Sequence, residues 1–368
     1  MRIVSLTYAR RNDYVDPISW ISRIESATRV LEAMSRHAQM VSIHCIGYEG
    51  ALRKSGVEYI FLRLSRFQAL LPFRFHRIVQ NIKPDVVIVH GIIFSLQILL
   101  LRMKLGPDVR IVVQHHAERP WRGIRGLLQR IADNCIDTYL FAARDLARQW
   151  IAMGLIANTD KIGEFMSASS TFTPSDMISA RQTTQVIGKK VYLWVGRLDS
   201  NKDPVTALKA FLRFAQKNRN ATFYLIYQTL ELSEALREIM DGHTELQNNV
   251  HMVGRVNHPE LQHWYCSADF VISGSHYESG GLAICEAMSC GCIPIATDIP
   301  SFMTMTGNGN VGLFFRPGDE DGLFDALMKS DSIDLEVEKR RILDHFEKEL
   351  SFDAIARKLF GIVSSPRE

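Results

Sequence analysis

Short runs of β-branched and aliphatic residues alternate along this chain with longer stretches whose apolar residues recur at helical spacing. In the first half, residues 3–7, 41–45, 86–89, 111–114 and 138–141 read as buried strands. Between the first two lies a helical stretch, 17–37, opened by Asp16 and Pro17, a cap followed by proline at the first helical position. The second half repeats the plan, with strands expected at 191–195, 222–226, 250–253, 270–273, 293–297 and 311–314. Its helical patterns fall at 205–216, 260–266, 281–289 and 321–329. Near-continuous apolar strands separated by helices predict parallel sheets covered on both faces. Residues 167–174 are small, polar and non-periodic, and read as an interdomain linker.

The expected fold class is therefore α/β, two Rossmann-like doubly wound domains facing across a cleft. The first is expected at 1–175 and the second at 184–350, with a C-terminal helix at about 352–368 packing back onto the first. Ligands in such sheets bind beyond the carboxyl ends of the strands.

A chain of 368 residues exceeds what one hydrophobic core usually serves, which agrees with two domains. With 46% hydrophobic and 23% charged residues, disorder and fibrous structure are excluded. A formal charge of +3 is too mild to imply nucleic acid, and none is expected as a partner. The distribution of charge says more. No acidic residue lies between Glu58 and Asp85, whereas Arg63, Arg66, Arg74, Arg77 and Lys83 do. Aromatic residues interleave with these arginines over 61–77, which suits an anionic membrane surface or a lipid-phosphate acceptor as well as it suits a helix pair with solvated arginines. Arg119, Arg122, Arg125 and Arg130 add charge to the same half. The six cysteines show neither a disulfide framework nor a zinc spacing, so free thiols are expected. The apolar run at the N-terminus is too short for a signal peptide, and 92–101 is too short to span a bilayer. A cytoplasmic protein, placed at the inner face of the membrane if the basic segment touches it, is the expectation.

The residues that could carry chemistry cluster in the second half. Glu278 follows the expected strand at 270–273, Gly280 and Gly281 would open a helix before Leu282, and Glu286 falls within that helix. Consecutive glycines let backbone N–H groups approach an anion closely, and a helix N-terminus favours a diphosphate. A carboxylate at Glu286 could accept hydrogen bonds from two vicinal hydroxyls, as on a ribose, while Glu278 could hold sugar hydroxyls. Arg197 and Lys202 leave the first strand of this half, where two cations could neutralise a departing diphosphate without a metal. Residues 307–312 satisfy a Gly-x-Gly-x-x-Gly pattern but precede a strand and open no helix, so the dinucleotide reading fails.

These segments resemble the family-4-type glycosyltransferases of the two-Rossmann-domain (GT-B) architecture, in glycosyltransferase group 1. Glu278 and Glu286 match that family's Glu–seven residues–Glu motif, and 286–294 match its EAMACGxPV segment. Gly196-Arg197-Leu198 followed by Lys202 matches its GRL…K element, and Arg316-Pro317-Gly318-Asp319 its PGD segment. The resemblance covers about 190–330. It implies a retaining, metal-independent transfer of sugar from a UDP- or GDP-linked donor to a hydroxyl of a glycan or lipid-linked acceptor, in cell-surface polysaccharide synthesis. It places Arg197 and Lys202 on the diphosphate, Glu286 on the ribose, Glu278 near the sugar, and backbone at Gly254–Val256 near the base. In the first half, 111–116 resemble the family's strand ending in a histidine that faces the sugar; spacing favours His116, with His115 as rival and His90 as another strand-end histidine. The family's glycine pair after the first strand is missing: 8–16 carry Arg10 and Arg11 instead. A nucleotide-sugar epimerase and a non-catalytic nucleotide-sugar-binding protein are the alternatives.

Overall fold

A computed structural model describes residues 1–365. It contains two compact units, Met1–Ser167 with the chain from Phe352 onward, and Ala168–Ser351.

The first unit is an eight-stranded sheet: β1 (Arg2–Arg11), β2 (Gln39–Ile46), β3 (Gly50–Lys54), β4 (Val57–Leu62), β5 (Val86–His90), β6 (Arg110–Gln114), β7 (Thr138–Phe141) and β8 (Ile162–Glu164). Their order is β3-β4-β2-β1-β5-β6-β7-β8, and all neighbours are parallel except β3 with β4. Successive side chains of a strand point to opposite faces. Accordingly Val87 and Val89 join one core with Val4 and Phe75, while Val86 and Ile88 join another with Ile3 and Tyr59. The helix Phe352–Ser364 contributes Ile355, Ala356, Leu359 and Val363 to that second core. Arg36 pairs with Asp353, and Arg110 donates to the Ser365 carbonyl at 2.6 Å. Of the expected helix 352–368, the last three residues lie outside the described part.

Three local expectations for this unit are corrected. Residues 8–11, read as a loop, continue β1, whose register with β2 slips between Leu6 and Arg10. The stretch 17–37 is two helices, Pro17–Arg23 and Glu25–Met34, because the chain leaves helical geometry at Ile24 (φ −105°, ψ 28°). The sheet also contains β3, β4 and β8, which the hydrophobic pattern did not give.

The second unit holds β9 (Lys190–Gly196), β10 (Ala221–Tyr227), β11 (Val250–Gly254), β12 (Phe270–Ser273), β13 (Ile293–Thr297) and β14 (Leu313–Phe315). All six expected strands are present, the last beginning two residues later than expected. The order is β11-β10-β9-β12-β13-β14, every pair parallel. From β9 the chain first winds one way through β10 and β11, then returns to the other side of β9 for β12. The crevice beyond the ends of β9 and β12 is the topological switch point, where open α/β sheets bind ligands. Residues 167–174 are not a solvated tether: Ala168, Ser169, Ser170 and Phe172 are buried, and Phe172 packs its ring against His258 and Tyr265.

Candidate active site

Two loops meet at the switch point of the second unit. The loop after β9 carries Arg197 and Lys202, and the loop after β12 carries Glu278, Gly280 and Gly281. They are fastened to each other through backbone. The His276 N–H donates to the Asn201 carbonyl at 2.8 Å, and the Asn201 amide donates to the Tyr277 carbonyl at 3.1 Å. At Gly274 a Cβ would stand 2.9 Å from the Asp203 carbonyl oxygen, so the loops approach too closely for a side chain there. Asp203, itself in the left-handed region (φ 44°), caps the helix Pro204–Lys217 by accepting from the Thr206 N–H.

This frame brings Lys202 and Glu278 into contact although 76 residues separate them: the Lys202 ammonium pairs with Glu278 Oε1. Ser275 donates its hydroxyl to the same carboxylate oxygen at 2.9 Å. Both charged side chains are mostly shielded, 21% and 15% exposed, so the pair is held in a medium of reduced screening. Arg197 sits differently. Its guanidinium is 62% exposed and reaches Asp199 at 3.1 Å. Each of the two expected cations is thus matched by a carboxylate.

Beyond Glu278, Gly281 (φ 55°, ψ 49°) is the N-cap of the helix Leu282–Ser289. A Cβ at Gly281 would lie 2.4 Å from the Phe302 ring, so glycine is required twice, for the left-handed backbone and for space. No side chain caps this helix, which leaves its first amides directed outward with the positive end of the helix dipole. Leu282, the first residue of the helix, is exposed.

Glu286 lies one turn further in and is buried. His258 Nε2 contacts its Oε1 at 2.7 Å, and the Tyr265 hydroxyl donates to Oε2 at 3.3 Å. Burial, reinforced by the Glu286 charge, pushes the Tyr265 phenol well above its ordinary pKa and keeps it a neutral donor. Neither His258 nor Tyr265 was visible as a site residue in the sequence, since each is ordinary in its own segment. Gly254 ends β11 in the left-handed region (φ 84°), and nothing lies within 4 Å of where a Cβ would be, so backbone is open to approach there; Val256 follows two residues on.

The first unit places His90 and His116 together, at the ends of β5 and β6. His90 Nδ1 and His116 Nε2 are 3.1 Å apart, and His90 Nε2 lies 2.8 Å from the Ser5 hydroxyl. His115 is buried: its Nε2–H donates to the Glu118 carbonyl at 2.9 Å and its ring packs on Phe141 and Trp150. His116, by contrast, is exposed. Arg10, suggested as a substitute for the missing glycines, donates to the Leu64 carbonyl at 2.9 Å, while Arg11 ends β1 exposed. A cavity of about 710 Å³ lined by Met1, Arg2, Arg36, His37, Gln39 and Lys83 lies at the amino ends of β1 and β2, away from these residues.

Residues 178–342 match the family model described as glycosyl transferases group 1. This segment is similar to the group 1 glycosyl transferases. The D-inositol 3-phosphate glycosyltransferase of Pseudarthrobacter chlorophenolicus is 30% identical over 165 residues, 43% of this chain and 39% of that protein. The chain thus spans about two-fifths of that curated relative's length. A glycosyltransferase from Rickettsia africae superposes with a TM-score of 0.74 at 15% identity, covering 98% of this chain and 97% of the other. The Anabaena protein HepE, crystallised with UDP, gives a TM-score of 0.72 at 15% identity over the full length of both chains. The fold is therefore the expected GT-B type. The switch point, the glycine-capped helix and the buried Glu286 all fall within the matched residues.

Proposed function

We propose that the protein is a retaining glycosyltransferase, of the family-4 type, that moves a sugar from a UDP- or GDP-linked donor to a hydroxyl of a glycan or lipid-linked acceptor. The observation that carries this reading is the Lys202–Glu278 pair beside the Gly281-capped helix at the β9/β12 switch point. The diphosphate takes the helix amides and the two cations. Lys202 turns from Glu278 toward the leaving phosphate, and Glu278 becomes free to accept hydroxyls of the sugar. Glu286 takes the ribose hydroxyls and the backbone at Gly254–Val256 borders the base. His116 donates a hydrogen bond to a hydroxyl of the transferring sugar. Charge that develops as the C–O bond breaks is met by Lys202, Arg197 and oriented amides in place before reaction. Because these groups supply the positive charge, no metal is required, and activity should survive EDTA.

Binding of UDP by the Anabaena structural neighbour supports a nucleotide donor. The matched family and relatives are transferases, which favours transfer over the epimerase and non-catalytic readings. The test is incubation with UDP- and GDP-sugars, with and without glycan and lipid-linked hydroxyl acceptors. Acceptor-dependent nucleotide release with an α-linked product from an α-linked donor is expected. Sugar interconversion without transfer, or binding without turnover, would reject the proposal.

For the acceptor we propose a substrate at an anionic lipid surface, as in cell-surface polysaccharide synthesis. Phe67, Leu70 and Phe73 are exposed among Arg63, Arg66 and Arg77, and the interleaved pattern of 61–77 is thus sorted: Phe61, Leu62, Leu64, Phe75 and His76 are buried, while these three apolar residues and the arginines face out. Among the described residues no helix is long and apolar enough to cross a membrane. Co-sedimentation with phosphatidylglycerol vesicles that is lost at high salt is expected; equal recovery with neutral vesicles would reject the contact.

A further inference from the structure

The contact between His90 and His116 has a direction that can be worked out. A separation of 3.1 Å between His90 Nδ1 and His116 Nε2 requires one proton between them, carried by one ring and accepted by the other. The other nitrogen of His90, Nε2, meets the Ser5 hydroxyl at 2.8 Å. Ser5 is buried in β1, and among the described residues His90 is the hydrogen-bond partner its hydroxyl has. If His90 carried its proton on Nε2, the Ser5 hydroxyl would accept it and its own proton would be left without an acceptor in the sheet interior. A buried donor left unmade costs more than a hydrogen bond gains. The serine therefore donates to His90 Nε2, His90 carries its proton on Nδ1 and donates to His116 Nε2, and His116 carries its own proton on Nδ1.

We propose that Ser5 and His90 are positioning residues that lock His116 in the Nδ1–H tautomer, so that it meets a sugar hydroxyl as a hydrogen-bond donor and not as an acceptor. This rests on the glycosyltransferase reading for the role of His116, but the tautomer itself follows from the chain of contacts alone. The surroundings keep both rings neutral, as the chain requires. Burial, with His116 and His44 adding to it, pushes His90 down to about 3. Desolvation by the surrounding protein lowers His116 too, exposed though the residue is, with His115 acting the same way and Glu118 opposing. The His116 backbone is fixed as well: its N–H donates to Glu118 Oε2 at 2.5 Å across a turn whose Ala117 is left-handed (φ 66°). Gly91, left-handed at φ 113°, leaves room for that carboxylate, since a Cβ there would lie 3.2 Å from Glu118 Oε1.

The test pairs histidine-ring ¹⁵N NMR with steady-state kinetics, at neutral pH, on the full chain. In the wild type the His116 resonances, assigned by their loss in His116→Gln, should show the Nδ1–H tautomer. In His90→Leu they should move toward the Nε2–H tautomer common in free imidazole, and kcat should fall about tenfold with the donor KM little changed, as for one lost hydrogen bond to the reacting sugar. His90→Asn puts an amide N–H where Nδ1–H stood and should recover most of kcat and the tautomer. Ser5→Ala, a smaller change should His90→Leu fold poorly, should give a mixed His116 tautomer. An Nε2–H tautomer in the wild type, or unchanged kcat in a folded His90→Leu with no rescue by Asn, overturns the proposal. The wider reading fails separately. If no sugar is transferred by the wild type, the NMR arm still decides the tautomer. If Lys202→Ala stops transfer while His116→Gln does not, the role given to His116 is wrong and the donor site stands.

Discussion

The two units use one plan and fill it with opposite chemistry. Each sheet winds outward from a first strand, β1 or β9, and returns beside it, at β5 or β12, so each has a switch point at strand carboxyl ends. In the second unit that point holds Lys202, Glu278, Arg197 and a helix start that only glycine can cap. In the first it holds His90 and His116 beside Ser5, where desolvation disfavours the charged form of both imidazoles. On the proposed reading, a charged leaving group is met by fixed charges and oriented amides, whereas a sugar hydroxyl is met by an uncharged hydrogen-bond donor. The same topology serves both because the strands fix where the loops end and leave their side chains free to differ.

The most severe way to break the comparison is to remove charge from the second unit. Lys202→Ala is expected to lower kcat about a hundred- to a thousand-fold, the usual consequence of losing one preorganised charge contact in a transition state. Thermal unfolding must be followed in parallel, because Glu278 is only 15% exposed and would keep Ser275 as its remaining partner. Near wild-type kcat in a folded variant would place the leaving-group charge elsewhere.

Next in size is Gly281→Ala. The left-handed backbone and the approach to Phe302 act together, so a loss of about 3 kcal/mol in stability is expected, read as a lower Tm. Gly280→Ala is the control: its Cβ would make ordinary contact at 3.5 Å with Ala168, and it should unfold near the wild type. Equal Tm values for the two variants would mean that Gly281 is not the strained position.

Acid should separate the units by stability. In the first unit burial holds His44 and His76 down to about 4 and His90 to about 3, against an ordinary value of 6.5. In the second unit His251 is displaced the same way, by burial. A histidine buried neutral is protonated first in the unfolded chain. Its contribution is therefore complete above pH 6.5 and is lost as pH falls toward the folded value, by about 1.4 kcal/mol per pH unit for each histidine. Region-resolved hydrogen exchange, corrected for intrinsic rates between pH 6.5 and 4, should show β1, β2 and β5 opening before β9, β10 and β12. Simultaneous loss of protection would erase this difference between the units.

How much of this was legible differs between the halves for the same physical reasons. Every strand of the second sheet is parallel, and its apolar runs announced all six. The Gly280–Gly281 start, Glu278 and Glu286 could be read because they lie within one local strand–turn–helix. The Lys202–Glu278 contact could not, since only the register of β9 beside β12 brings residues 76 apart together. His258 and Tyr265 were missed for that reason too. In the first unit, β3 runs Gly50-Ala51-Leu52-Arg53-Lys54, a mostly exposed antiparallel edge with no apolar run to detect. Arg10 and Arg11 disguised the end of β1, where the shifted register turns polar residues outward. His90 and His116 were each noted as strand ends. Their contact depends on β5 lying beside β6, which no local pattern states.

The smallest effects sharpen the comparison most, because they ask whether Glu286 is kept ready for a ligand. Its two oxygens already accept from His258 and Tyr265, although His258 is itself 61% exposed. Glu286→Gln keeps the shape but removes a charged acceptor, and the donor KM should rise about tenfold, the worth of one hydrogen bond to a charged group. His258→Ala should act in the opposite direction. If the imidazole must leave Oε1 before ribose binds, removing it raises the fraction of protein ready to bind, and apparent affinity improves by that fraction. A decrease in donor KM of about twofold to threefold is expected from such partial occupancy. Isothermal titration with UDP, and with UMP as the ligand lacking the second phosphate, would measure it free of turnover. A tighter UDP complex in His258→Ala identifies the histidine as a placeholder for ribose. A weaker one makes it part of the donor site.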